Sequence, residues 1–192
     1  MAKKYEFKPD KPRSGVLSKL HLTRQQRLRI LKWLLYSLLL VALSVLQDVI
    51  LCRVSIFGGG TDLCVSAILL ITVLEGTESG SIFALVASLM YLFSGSAPGP
   101  YVIVLITAAT IGAAMFRQGY WSQGLSTAVL CTGLGMMAYE LALLVIGKFM
   151  NLTNWNRMGV FALTAVLSAA AVFPLYPLMR GIGNIGGEAW KE

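Results

Sequence analysis

The side chains of this sequence that could bind a cation or transfer a proton are mainly acidic, and among them Glu140 lies deepest among apolar residues. It is the one charged residue within 124–147, about seven residues from the end of that stretch. An acid inside a membrane span costs roughly 2–3 kcal/mol on insertion scales, so it could bind a cation, relay a proton or pair with a partner. The alternative is structural: Glu140 is protonated, or hydrogen-bonded to a neighbouring helix. Gly133 and Gly147 on the same helix face would let such a helix approach, and the residues favour this structural interpretation.

Catalytic and metal-binding companions for Glu140 are missing from the sequence. No second acid, histidine or lysine accompanies it within an apolar stretch, and the single histidine, His21, precedes the first of them. Intramembrane catalysis would need an Asp–Asp, His–Glu or Ser–Lys arrangement at helical spacing. The three cysteines are odd in number, lack metal-ligand spacing and are predicted to behave as small apolar residues. We therefore predict no catalytic residue, metal or cofactor, and an intramembrane enzyme is the least favoured function.

Four other acids, Asp48, Asp62, Glu75 and Glu78, are placed where helices are expected to begin or end. Asp62 follows Thr61 at the start of an apolar run, where a carboxylate caps free amides and favours the positive end of the helix dipole. Glu75 and Glu78 flank Gly76 in a very short connection, which predicts a solvated hairpin. The structural role of a cap or a turn thus accounts for these acids.

The composition indicates the class of protein to which these residues belong. Of 192 residues, 56% are hydrophobic and 13% are charged, against roughly 25% charged in an ordinary soluble domain. There are too few charges to cover a soluble surface, and the chain has room for several membrane spans of about 20 residues. We therefore predict a small polytopic membrane protein.

Charge is concentrated in the first 32 residues, which hold ten of the 16 lysines and arginines and only two acids. Beside a membrane span, such a tail is expected to contact anionic lipid head groups rather than nucleic acid. Its length argues for an uncleaved first span rather than a secretory signal peptide. By the positive-inside rule, the N-terminus is predicted to be cytoplasmic.

Intervals without charge, divided by breakers such as Gly95–Pro100, predict six helices. They cover residues 33–47 with Leu28, Ile30 and Leu31 leading in, then 63–74, 79–94, 101–116, 124–147 and 158–179. Pro174 and Pro177 are expected to bend or end the last one. The second spans only about 18 Å, short of a hydrocarbon core of about 30 Å, so it either crosses the membrane or is re-entrant. Five spans and six both remain open, and we prefer six, with both termini in the cytoplasm.

The fold class is thus an all-α, polytopic membrane helical bundle. Residues 1–29 are predicted to be a basic cytoplasmic tail, for which an amphipathic helix over part of its length is one alternative and a simple topology determinant the other. Residues 30–180 form a single transmembrane helical domain, and 181–192 a short C-terminal tail.

A row of small residues along the third helix is the clearest pattern in the sequence. Gly76, Gly80, Ala84 and Ser88 recur every four residues. Such rows let helix backbones approach closely in lipid, where the hydrophobic effect does not drive helices together. We predict that this row packs against another helix, either of this protein or of a partner.

Several short motifs, in this order and spacing, resemble the rod shape-determining MreD family of bacteria. They are Leu46-Gln47 with Leu51, then Thr61-Asp62-Leu63, the row Gly76–Gly80–Ala84–Ser88, and the break Ser94-Gly95…Gly99. The resemblance covers about residues 30–116, while the last two helices match only in hydropathy.

This resemblance implies a non-catalytic subunit in the bacterial cytoplasmic membrane. It would help organise peptidoglycan synthesis with MreC, the actin-like MreB filament and the RodA–penicillin-binding-protein synthase. The family's fold is similar to that of the vitamin-binding S subunits of energy-coupling-factor transporters. A substrate-binding subunit of such a transporter is therefore the alternative, although the loops expected outside offer few aromatic side chains, with Trp155 the one tryptophan.

Overall fold

Six α-helices make up the protein in the computed structural model, which describes residues 24–53, 58–95, 97–119 and 124–185. The helices are α1 (Arg24–Val49), α2 (Leu63–Glu75), α3 (Thr77–Phe93), α4 (Val102–Gln118), α5 (Leu125–Phe149) and α6 (Met158–Gly183). Short 3-10 turns cover Leu51–Arg53 and Trp155–Arg157, and these described residues include no β-strand. The predicted all-α class is confirmed. Most of the predicted tail, residues 1–23, lies outside the described residues.

Three helical segments are long and apolar enough to cross a membrane, namely Gln26–Val49, Leu125–Phe149 and Trp155–Gly183. The other three helices are apolar but shorter, at 13, 17 and 17 residues. Large apolar side chains also face outward, including Leu38, 64% exposed, and Phe93, 84% exposed. An apolar outer surface around apolar helices is typical of a protein that lies in lipid. Six helices are thus confirmed, while six crossings stay a prediction.

The shortest helix, α2, lies at the centre of the bundle. Every residue from Leu63 to Leu74 is buried, and α2 contacts each of the other five helices. A helix that is apolar on all faces is stable only where neighbours surround it. The apolar run 63–74 therefore forms the core around which the longer helices pack.

Chain direction alternates from helix to helix. Lys32, near the start of α1, is paired with Glu75 at the end of α2, and Gln118 at the end of α4 donates a hydrogen bond to Thr77 at the start of α3. Near the other end of the chain, the Met179 carbonyl of α6 accepts a hydrogen bond from Tyr36 of α1, whose hydroxyl also reaches Glu75 at the end of α2. The first and last helices thus bring the two ends of the helical domain to the same side of the bundle.

Two helix boundaries differ from the sequence prediction by more than two residues. α1 begins at Arg24, four residues before Leu28, the first of the apolar residues predicted to lead into it, because Arg and Gln favour helix and a charge does not end one. α6 continues through Pro174 and Pro177 to Gly183, so the expectation that these prolines could end the helix is wrong. In a bundle, neighbouring helices and local adjustments satisfy the carbonyls that a proline leaves without a donor.

Candidate functional site at the two ends of the central helix

Helix α2 is too short to span the hydrocarbon core of a membrane. Its 13 residues span about 20 Å, against a hydrocarbon core of about 30 Å. Polar groups at either end of α2 are therefore held inside the bundle, where water cannot satisfy them and other helices must. The structure places one cluster of polar side chains at each end.

Asp62 organises the cluster at the start of α2. Its Oδ1 accepts a hydrogen bond from the Val65 amide at 3.2 Å, and its Oδ2 accepts one from the Tyr91 hydroxyl of α3 at 3.1 Å. The Asp62 amide donates to Ser168 Oγ of α6 at 2.8 Å. The predicted helix cap is confirmed, and the same carboxylate also ties α2 to α3.

Gln47 completes this end of α2 from the last turn of α1. Its Oε1 accepts a hydrogen bond from the Cys64 amide at 2.9 Å, satisfying a second free amide of the first turn. Gln47 and Asp62 are two positions of the MreD-like motif, and the fold brings them together. The two leucines of the motif differ in burial: Leu63, next to Asp62, is buried, whereas Leu46, next to Gln47, is 40% exposed. We call Gln47, Asp62, Tyr91 and Ser168 the Asp62 cluster.

Glu75 organises a second cluster at the end of α2. Its carboxylate forms an ion pair with Lys32 of α1, and the two side chains are 5% and 8% exposed, respectively. Glu75 Oε1 also accepts a hydrogen bond from the Tyr36 hydroxyl at 2.8 Å. Glu78 is exposed, as a solvated hairpin requires, but for Glu75 that prediction is wrong. We call Lys32, Tyr36 and Glu75 the Glu75 cluster.

A signal for the Glu75 cluster was present in the sequence. Lys32 directly precedes one charge-free interval, and Glu75 directly follows the next. In two neighbouring antiparallel helices, these positions lie at the same end and carry opposite charges. Lys32 was grouped only with the basic tail, so its pairing with Glu75 was not predicted.

The small-residue row of α3 lies in the interior. Gly80, Ala84 and Ser88 are buried, while Gly76 precedes α3 with a φ of 91°, a conformation that favours glycine. A Cβ on Gly80 would stand 2.7 Å from the Thr72 Cα atom, so α3 packs backbone to backbone against α2. In addition, the Thr72 hydroxyl lies 3.2 Å from the Gly80 carbonyl oxygen, to which it donates. At Gly80 the row therefore contacts a helix of the protein itself.

Glu140 is buried, at 5% exposure. It faces a cavity of about 70 Å³ between α5 and α6 whose other lining side chains are apolar, among them Met137, Leu144 and Phe161. Within the part of the chain that the structure describes, no side chain donates a hydrogen bond to this carboxylate. Gly133, predicted to make room for a neighbouring helix, lies beside Ala169 of α6.

Other buried polar groups include the hydroxyls of Tyr139 and Thr153 and two cysteine thiols. The Tyr139 hydroxyl has no hydrogen-bond partner among the described residues, and its ring lines an otherwise apolar cavity of about 240 Å³ between α4 and α5. Cys64 and Cys131 are buried free thiols. The described residues also hold no group of three or more His, Cys, Asp or Glu side chains placed to bind a metal ion.

Comparison of the chain with protein-family models, with curated proteins and with solved structures finds no match in any of the three.

Proposed function

We propose that this protein is a non-catalytic integral membrane subunit of the bacterial elongation complex, of the MreD type, which helps organise peptidoglycan synthesis with an MreC-like protein. One observation carries the proposal. Gln47 and Asp62, two motif positions from different parts of the sequence, both bind the first turn of α2, and Gly80 of the motif's small-residue row packs on the same helix. The motifs thus act together on one structural element.

The chemistry of the interior supports a scaffolding role. Asp62 and Glu75 are both engaged in contacts that join α2 to other helices. Polar groups committed in this way stabilise a fold and are not free to react. Among the described residues, the arrangement favours a rigid bundle that presents its outer faces to partners.

The partner surface is expected on the outer faces of the bundle. Because Gly80 packs against Thr72, a partner helix at that point would have to displace α2. Outward-facing side chains, such as Phe93 on α3 and Phe173 on α6, are better placed to contact a membrane partner. We expect an MreC-like protein to bind such a face, and orientation with the N-terminus in the cytoplasm follows from the basic tail.

Co-purification tests the function. The tagged full-length chain is extracted from native membranes in mild detergent, and its partners are identified by mass spectrometry beside an equally tagged, unrelated multi-pass protein. An MreC-like protein and wall synthase subunits should be enriched with this chain alone. A bound vitamin together with an ATPase module would contradict the proposal and support the transporter alternative.

A further inference from the structure

The cavity that Glu140 faces opens at the surface of the bundle between α5 and α6. Glu140 and Leu144, which are 5% and 2% exposed, line its inner side. Met137, Leu141 and Met158 line it as well, and they are 41%, 49% and 53% exposed. A buried acid thus lies at the inner end of an apolar cavity whose outer wall faces lipid.

The Glu140 carboxylate takes part in no hydrogen bond or ion pair with the residues that the structure describes. The next two basic residues along the chain do not reach it. The Lys148 ammonium lies 3.5 Å from the Asn154 side-chain oxygen, and Arg157 is exposed. A buried acid in a membrane protein is almost always paired, as Glu75 is with Lys32 in this bundle. The partner of Glu140 is therefore expected to come from outside the chain.

The lining of the cavity disfavours water and metal ions as its occupants. Glu140 supplies the one polar side chain among the seven residues that line it. A buried water needs about two to four polar partners, and Ca²⁺ or Mg²⁺ needs about six oxygen ligands. A suitable occupant presents a positive charge to one carboxylate and apolar surface to the rest of the lining.

The depth of Glu140 in the membrane distinguishes between the cationic groups that could bind it. Glu140 lies nine residues before Phe149, the last residue of α5, which is about 14 Å along the helix. The ammonium groups of lipids lie in the head-group region, outside a hydrocarbon core of about 30 Å. A lysine or arginine on a membrane-spanning helix can reach this depth, because its apolar stem packs along apolar side chains while its charge meets the carboxylate.

We propose that the α5–α6 cavity is a docking site for a basic side chain on the transmembrane helix of a partner protein. The partner helix lies against the outer faces of α5 and α6. The stem of the basic side chain passes Met137, Leu141 and Met158, and its ammonium or guanidinium group pairs with Glu140. Opposite charges at the same depth fix how two membrane proteins are placed against each other. The inference goes beyond the function proposed above and does not depend on it.

Synthetic membrane-spanning peptides serve as the partner in the test. One peptide has a Leu–Ala span of about 20 residues with a single lysine near its middle, and the reference peptide has leucine at that position. The full-length chain is placed with either peptide in vesicles of phosphatidylcholine, which carries no net charge. Each peptide has a dansyl group at one end. Energy transfer to dansyl from the tryptophans of the protein, among them Trp155 just before α6, measures association.

The lysine peptide should associate with the wild-type chain about tenfold more tightly than the leucine peptide, which is the size of an interhelical polar contact in model membrane peptides. Glu140→Gln keeps the shape of the side chain and removes its charge. This variant should lower the preference to about threefold or less, because a neutral amide binds a charged donor more weakly than a carboxylate does. Circular dichroism measures the helix content of each variant.

Two substitutions on one face of α6 test the cavity itself. Ala162 lines it, whereas Val166, four residues later and 59% exposed, does not. Ala162→Phe should fill the cavity and weaken binding of the lysine peptide about tenfold, while Val166→Phe should leave binding unchanged. Equal association of the two peptides with the wild type, or an undiminished preference for lysine in Glu140→Gln, would overturn the proposal. Exclusion of both peptides by Arg157 or by a second copy of the chain would also overturn it.

Discussion

The ion pair between Lys32 and Glu75 gives the sharpest prediction about stability. Both side chains are less than one-tenth exposed, and the pair joins α1 to the end of α2. Glu75→Leu would leave the Lys32 ammonium buried without its partner and would leave the Tyr36 hydroxyl with only the Met179 carbonyl, at 3.3 Å. Breaking a buried pair by removing one partner costs about 3–5 kcal/mol, so we expect the free energy of unfolding to fall by that amount.

A double-mutant cycle isolates the interaction. Lys32→Met should cost a similar 3–5 kcal/mol, because it leaves the Glu75 carboxylate buried. The double variant carries neither charge and fills the site with apolar side chains, so we expect it to lie within about 2 kcal/mol of the wild type. The two single effects should therefore be strongly non-additive, by about 4 kcal/mol or more.

Unfolding in mixed micelles with increasing SDS, followed by circular dichroism, measures these free energies. Glu78→Leu and Arg29→Met are matched controls, because both side chains are exposed; each should change stability by less than about 0.5 kcal/mol. Additivity of Lys32→Met and Glu75→Leu within about 0.5 kcal/mol would show that the pair does not hold α1 to α2, and would refute the reasoning.

Three further predictions concern packing, capping and topology. Gly80→Leu should lower the free energy of unfolding by about 3 kcal/mol, because the new Cβ would meet the Thr72 backbone at 2.7 Å. Leu85→Phe, at a half-exposed position of the same helix, is the control and should leave the thermal midpoint unchanged. Equal changes of the thermal midpoint in the two variants would mean that the row faces lipid. Asp62→Ala should lower the free energy of unfolding by about 2–4 kcal/mol, because it removes the helix cap and leaves the Tyr91 hydroxyl unpaired. Asp62→Asn keeps an acceptor oxygen and should lower it by under about 1 kcal/mol. Equal shifts of the thermal midpoint in the two variants would argue against the capping role of Asp62. Reporters fused to either terminus should be active only in the cytoplasm, and a C-terminal reporter active only outside would exclude six spans.

Local features of the site could be predicted from the sequence. Asp62 caps α2 through the amide of Val65, three residues away, and such short-range geometry follows from residue type and position alone. The helices themselves follow from intervals without charge. The small-residue row was predicted to pack against a helix, although the sequence could not show that the helix at Gly80 is α2.

Contacts between distant parts of the chain could not be predicted in this way. Tyr36 reaches Glu75 across 39 residues and Met179 across 143, and both contacts require the arrangement of helices around α2. Glu75 looked like a solvated turn residue because its neighbours Gly76 and Glu78 suit a turn. Its burial results from the position of α1, which no pattern around Glu75 reveals. The resemblance to the MreD family likewise stays a prediction.

Cell-wall growth in the cells that produce this protein tests the proposed role in a bacterial elongation complex most directly. Cells depleted of the protein are pulsed with a fluorescent D-amino acid, and incorporation along the lateral wall is measured together with cell width. We predict that depletion lowers lateral incorporation and widens the cells, and that re-expression of the wild-type chain restores both. Unchanged incorporation and width in cells that have lost the protein would contradict a role in wall elongation.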